Sequence, residues 1–438
     1  MTSVYVASCE RYDPDVIAGH VRAASVALGV PLPSGGDVSL QPSLPWTHPR
    51  YAPDAHTAPA VLEGLARACE GAAVSIGAQS LPGFPTRYSF GRAGYDGLAR
   101  RTGARLLAFD EGHYRDTPSP GTGASFQLPA SWLDASFRVA VPRLSGSAYL
   151  PFAGALRLAY NLLPADAQLA EQHRMSDVIA GLTEAAPPSL IVVDAISALH
   201  RGGELSGEPV DLGLLIIGTD AVAVDLACAA AFGVPESELE FLRVAGQSVH
   251  PGRLSDVEIL GDLSAADLAE RGRRVQRIDP RPEAADLPTQ LKIFRSPRAS
   301  QSGVAGSLRE ALAVLARAGI SLGKARESVL VIGPVDEVPP PSSDTAAIIF
   351  MDDTSRATYK GYTRIVRLTG RTPSVWRVLI DVPFVLNIAN LRADLGFGFA
   401  LAGIRGRIAR VLGGPGSPRG ASRRPSAPKG GGPAPEQG

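Results

Sequence analysis

The stretch Ser189-Leu-Ile-Val-Val-Asp194-Ala-Ile-Ser-Ala-Leu-His200-Arg-Gly-Gly-Glu204, followed by Leu212-Gly-Leu-Leu-Ile-Ile-Gly-Thr-Asp220-Ala-Val-Ala-Val-Asp225-Leu-Ala-Cys-Ala-Ala-Ala-Phe-Gly233, decides the reading of this chain. Two short β-branched runs each end at a carboxylate, Asp194 and Asp220. The second leads directly into an Ala-rich helix that carries Asp225. The expected order is strand, Gly-rich turn, strand, helix. Acids are costly to bury, so carboxylates at strand ends and inside an apolar helix mark a candidate site.

Upstream, the same alternation recurs. Residues 3–8 are β-rich, 14–28 carry helical apolar spacing, and 37–40 begin another strand. Thr57 and Pro59 open a helix running to about Cys69, and 74–77, 105–109 and 137–141 read as further strands. This rhythm predicts an α/β fold, a mainly parallel sheet with helices on both faces. The Pro, Gly, Ser and Thr content of 115–130 marks a loop or insertion, and helices are expected over 150–163 and 168–185. Prolines across 281–299 suggest a boundary, followed by a smaller α/β unit with strands at 328–332, 345–350 and 364–368. The expected organisation is a main domain over 1–280, a C-terminal unit over 281–412, and a disordered Gly/Pro/Arg tail over 413–438.

Bulk composition narrows the functional classes. Among 438 residues, Lys plus Arg equals Asp plus Glu at 43 each, so no overall charge excess draws the chain to nucleic acid. Cys9, Cys69 and Cys228 have no CxxC spacing, which favours a reducing cytoplasm over a disulfide framework. The N-terminus lacks the basic and apolar regions of a signal peptide. No apolar run reaches the roughly 18 residues needed for a transmembrane segment. Peripheral membrane contact is a separate expectation. Leu401, Ile404, Ile408 and Leu412 form an apolar stripe beside Arg405, Arg407 and Arg410.

Asp194 follows Leu190-Ile-Val-Val, and the carboxyl end of a strand in an open parallel sheet is where ligands generally bind. Asp220 precedes a helix and doubles as an N-cap candidate. Asp225 has apolar helical neighbours and needs hydrogen bonds, a cation or a proton. His173 and His200 are the candidate imidazoles for ligation or proton transfer, and Gly202 and Gly203 allow a turn to approach an anionic cofactor closely. The Gly-Lys-Ser/Thr ending of a Walker loop, the Gly-x-Ser-x-Gly elbow, His-Glu-x-x-His and a dinucleotide glycine fingerprint are all missing.

The run Val-Val-Asp194-Ala-Ile, the Gly-rich turn, Gly207-Glu-Pro, and Asp220-Ala-Val-Ala-Val-Asp225 together resemble the domain of unknown function 362 family. That resemblance places the family's Lys-Pro-Asn at Gln41-Pro42-Ser43 and its Lys-Asn pair at Arg157-Leu158, ahead of His173; Thr57-x-Pro59 is kept. Many such relatives carry ferredoxin-like cysteines. The corresponding segments here, Arg298 to Gly303 and Thr369 to Pro373, have none, so no self-contained iron–sulfur cluster is expected.

Two functional readings follow. In the first, the chain is an enzyme whose Asp194, Asp220 and Asp225 hold a divalent metal (Mg, Mn or Fe). The metal then polarises a small anionic or carbonyl substrate while His173, His200 or an acid moves protons. In the second, it is a non-catalytic binding or assembly protein that has lost its relatives' redox apparatus, and the acids serve as caps and core hydrogen-bond partners.

Overall fold

The computed structural model describes residues 2–246, 252–277, 290–297, 303–368, 370 and 373–412; the tail expected over 413–438 lies outside them. Leu190–His200 is an eleven-residue strand buried along its whole length. It pairs antiparallel with Glu208–Gly218, placing Asp194 opposite Leu215 and His200 opposite Glu208. The expectation that the first strand ends at Asp194 is therefore corrected. The strand continues six residues further because the carboxylate finds partners in distant segments.

The main sheet has nine strands. Its path runs Val257–Gly261, Thr2–Ser8, Glu208–Gly218, Leu190–His200, Phe137–Val141, Asp37–Pro42, Ala73–Ala78, Arg105–Ala108, with Arg143–Ser145 also paired to Leu190–His200. All run in one direction except Glu208–Gly218, which is antiparallel to both neighbours. Alternate residues feed two cores, as the period of two demands. Ile191, Val193 and Ala195 pack with the helix Ala221–Ala231 on one face. Leu190, Val192 and Ile196 pack with Pro14–Leu28 and Pro59–Ala68 on the other. The fold is α/β with helices on both faces of a mainly parallel sheet.

A second sheet of four parallel strands, Leu291–Arg295, Ser328–Ile332, Ala347–Phe350 and Arg364–Arg367, lies within the segment expected to form the C-terminal unit. Its first strand lies inside the proline-marked stretch expected to be a boundary, and the loop expected over 115–130 contains the hairpin Tyr114–Pro118 and Ser125–Pro129. The helix Gly303–Arg317 packs inward, where Leu308, Leu312 and Leu315 share one core with Trp46, Tyr51, Phe84 and Leu205.

Candidate functional site

Asp194 is fully buried and acts as a junction. It accepts the Tyr12 hydroxyl at 2.9 Å and the Ala58 amide at 2.9 Å, so it caps the start of Pro59–Ala68 from a different strand. Burial pushes its carboxyl up, while Arg143 and these donors pull it down. Thr57 holds the same corner: its hydroxyl donates to the Val141 carbonyl at 2.6 Å and accepts the Ser43 amide at 3.0 Å. Arg143, also buried, donates to the carbonyls of Ser197, Asp54 and His56 at 2.8–2.9 Å.

The other two acids lie elsewhere. The antiparallel register sets Gly218 beside Ile191, so Asp220, two residues on, sits at the rim where Leu190–His200 begins. There it caps Ala221–Ala231 through the amides of Val222 (2.8 Å) and Ala223 (3.0 Å). Asp225, fully buried, accepts the amides of Ala155 at 2.7 Å and Leu156 at 3.0 Å. A side chain at Gly154 would overlap that carboxylate. Burial raises its pKa to about 7; the two amides oppose the rise and Asp220 adds to it.

Asp194, Asp220 and Asp225, the expected metal ligands, lie in three separate settings. Each carboxylate takes its own protein donors, and among the described residues no three His, Cys, Asp or Glu side chains gather as metal ligands. The histidines are equally dispersed. His200 stands six residues beyond Asp194, about 20 Å along the strand, and its Nδ1 accepts the Gln276 amide at 3.1 Å. His173, with Nδ1 3.0 Å from the Ala170 carbonyl, lines an outer groove with Pro82, Trp376 and Arg377.

The Gly-rich turn does hold an anion, but one of the chain's own. The Glu310 carboxylate accepts the amides of Leu205 (2.6 Å), Ser206 (2.9 Å) and Gly203 (3.1 Å) and the Ser206 hydroxyl (2.9 Å). A Cβ at Gly203 would overlap it. Gly203, expected as a cofactor contact, donates its amide to Glu310 of the helix Gly303–Arg317. Gly202 instead lines a chamber of about 240 Å³.

That chamber is bounded on one side by Arg309 of the helix Gly303–Arg317. Its walls are the Gly146–Pro151 loop, Gly202, Phe232 and Gln276, with the guanidinium groups of Arg201, Arg277 and Arg309, and Glu238 is the one acid among the described lining residues. Arg309 is buried and reaches the Ser147 carbonyl; Arg277 pairs with Glu238 at 2.5 Å. Arg201 adopts φ 54, a left-handed conformation rare for a side chain of this size. Behind the chamber, Arg157 pairs with Glu204 at 2.9 Å and donates to Asn161 at 2.8 Å. Arg157 lines two smaller cavities, one with Ser43, Arg143, Asn161 and Glu204, the other with Tyr149, Tyr160 and Gln172.

Residues 38–230 match the model of a domain of unknown function, DUF362. That stretch, somewhat less than half of the chain, is similar to DUF362. Within it, the positions where the family resemblance sets its upstream signatures converge. Ser43 and Arg157 line one cavity, and Gln41 donates to the Leu158 carbonyl at 3.1 Å. No curated protein sequence matches the chain. Among solved structures, the lactate racemase apoprotein from Thermoanaerobacterium thermosaccharolyticum is similar at 13% identity and a TM-score of 0.33, over 52% of this chain and 57% of that one. The match thus spans little more than half of that protein.

Arg143, Glu204, Arg277, Arg309 and Glu310 were not legible as site residues. Arg309 and Glu310 look like the solvated charges of any helix, and only the docking of the second unit buries them. Glu204 stands inside the quoted turn, where its neighbouring glycines dominate the pattern.

Proposed function

We propose that this protein binds a small anionic ligand within the chamber lined by Arg201, Arg277 and Arg309. The observation that carries the reading is the convergence of three guanidinium groups, Arg201, Arg277 and Arg309, on the wall of one chamber of about 240 Å³, with Arg201 and Arg277 each held by an acid, Glu208 and Glu238. Arginine forks suit carboxylate and phosphate groups, and a partly buried site strengthens the attraction. The volume suits a ligand smaller than those of typical drug-sized pockets. Asp194, Asp220, Asp225, His173 and His200 do not line this chamber, so binding is favoured over metal-assisted turnover. Three buried free thiols fit a reducing cytoplasm.

The test is thermal unfolding and calorimetric titration of the full chain, at low salt, with inorganic phosphate, pyrophosphate and citrate. At least one anion should raise Tm saturably, and Arg277→Gln should weaken its binding about tenfold, as expected for a lost charged contact. If none of the three saturates, or Arg277→Gln binds as wild type does, the reading fails.

A further inference from the structure

We infer that the last helix is a peripheral membrane-binding element that lies along the surface of an anionic bilayer. No described helix is long and apolar enough to cross a membrane, so contact would be superficial. The helix Leu391–Leu412 breaks at Gly396, where φ is 67, and its second segment lies on Thr86–Arg92 and Phe109–Glu111. The inward side is set by Phe399, stacked on Trp376, by Ala402, and by Gly403 and Gly406, which come close to Pro85 and Glu111. These residues recur at helical spacing, and the two glycines let the backbone lie close to its support.

The opposite side follows from the turn of about 100° per residue. Ile404 and Ile408 point outward and are 53% and 51% exposed, with half-buried Leu401 on the same stripe. Arg405 and Arg407, both exposed, fall to either side of that stripe. An apolar centre edged by two guanidinium groups matches a helix lying in the interfacial plane, with the isoleucines in the acyl boundary and the arginines among the headgroups.

Charge selects the partner. Between Asp394 and Glu436 the sequence contains no acid, while Arg405, Arg407, Arg410, Arg419, Arg423, Arg424 and Lys429 are basic. Glu111, next to Gly406, is already paired with Arg87 at 2.6 Å. A locally basic, apolar-edged segment within a chain that is neutral overall complements anionic lipid headgroups.

Co-sedimentation of the full chain with vesicles tests this. Wild type should pellet with phosphatidylcholine–phosphatidylglycerol vesicles, be released by salt, and partition weakly to phosphatidylcholine alone. The double variants Ile404→Asp/Ile408→Asp and Arg405→Glu/Arg407→Glu should each lower partitioning about tenfold or more, with unchanged unfolding midpoints because the altered side chains face outward. Wild type left in the supernatant overturns the proposal. So does equal binding to both vesicle types. Ile404→Asp/Ile408→Asp binding like wild type would assign the attraction to the tail's charge and overturn the helix's role. A wild-type dimer that this variant dissociates, without vesicle binding, would make the face a contact between copies instead.

Discussion

The Arg157 guanidinium and the Glu204 carboxylate meet at 2.9 Å with only 3% and 13% of their side chains exposed. Burial pushes the Glu204 carboxyl up and Arg157 pulls it back, so Glu204 depends on Arg157 to stay charged. Removing one partner strands a buried charge. Arg157→Leu and Glu204→Leu should each lose about 3–5 kcal/mol, whereas the double leucine variant should recover most of that loss. Urea unfolding of the four proteins measures this, and single losses that simply add would contradict it.

Asp225 should give the fold a pH-dependent component. Its folded-state pKa, raised from 3.8 to about 7, means that the folded chain holds a proton the unfolded chain has already released. Its stabilising contribution is complete below about pH 4 and is lost as pH rises through about 7, falling by roughly 1.4 kcal/mol for each pH unit crossed in between. Asp225→Asn does not titrate. The stability of wild type relative to this variant should therefore fall between about pH 4 and pH 8, and parallel curves would refute the assignment.

Glu310 couples the two units through the amides of Gly203, Leu205 and Ser206. Glu310→Ala leaves those buried donors unsatisfied, at a cost of about 1–3 kcal/mol or more. Gly203→Ala should act alike, because its Cβ would displace the same carboxylate. Limited proteolysis should cut the C-terminal unit of both variants faster, while Glu310→Gln, which keeps an acceptor, should be intermediate. Identical digestion of all forms would show that the turn does not hold the unit.

Arg201 separates ligand binding from stability. Its φ of 54 suits glycine better than an L side chain, for which that region costs about 1–2 kcal/mol. Arg201→Gly should thus unfold within about 1 kcal/mol of wild type, the relieved strain offsetting the lost Glu208 pair at 3.3 Å and glycine's extra chain entropy. Anion affinity should still drop, because one of the chamber's three guanidinium groups is gone. A large loss of stability, or intact affinity, would count against the role given to Arg201.

Local patterning reveals much of this architecture, and long-range pairing accounts for what it hides. Pro14–Leu28 and Phe137–Val141 coincide with their expected bounds because apolar spacing and turn residues define them locally. Asp194 looks like a strand end only while its partners, Tyr12 and Ala58, are unknown; both lie more than a hundred residues away in sequence. Likewise Asp225 looks orphaned until the amides at Ala155 and Leu156 reach it. The reversed direction of Glu208–Gly218 is the feature that local pattern hides most completely. It sends Asp220 to the rim away from His200, so carboxylates that seem neighbours in sequence do not share a site.

The carboxylate of Glu310 is, in effect, a tethered ligand. Because the chain carries it, its local concentration at the Gly203–Ser206 turn is that of an intramolecular group, on the order of millimolar or above. A free metabolite present at micromolar levels cannot compete on equal terms for those amides. On the proposed reading a small anion meets the arginines beyond the turn, and exchange at the turn itself becomes a measure of how often the helix Gly303–Arg317 lets go.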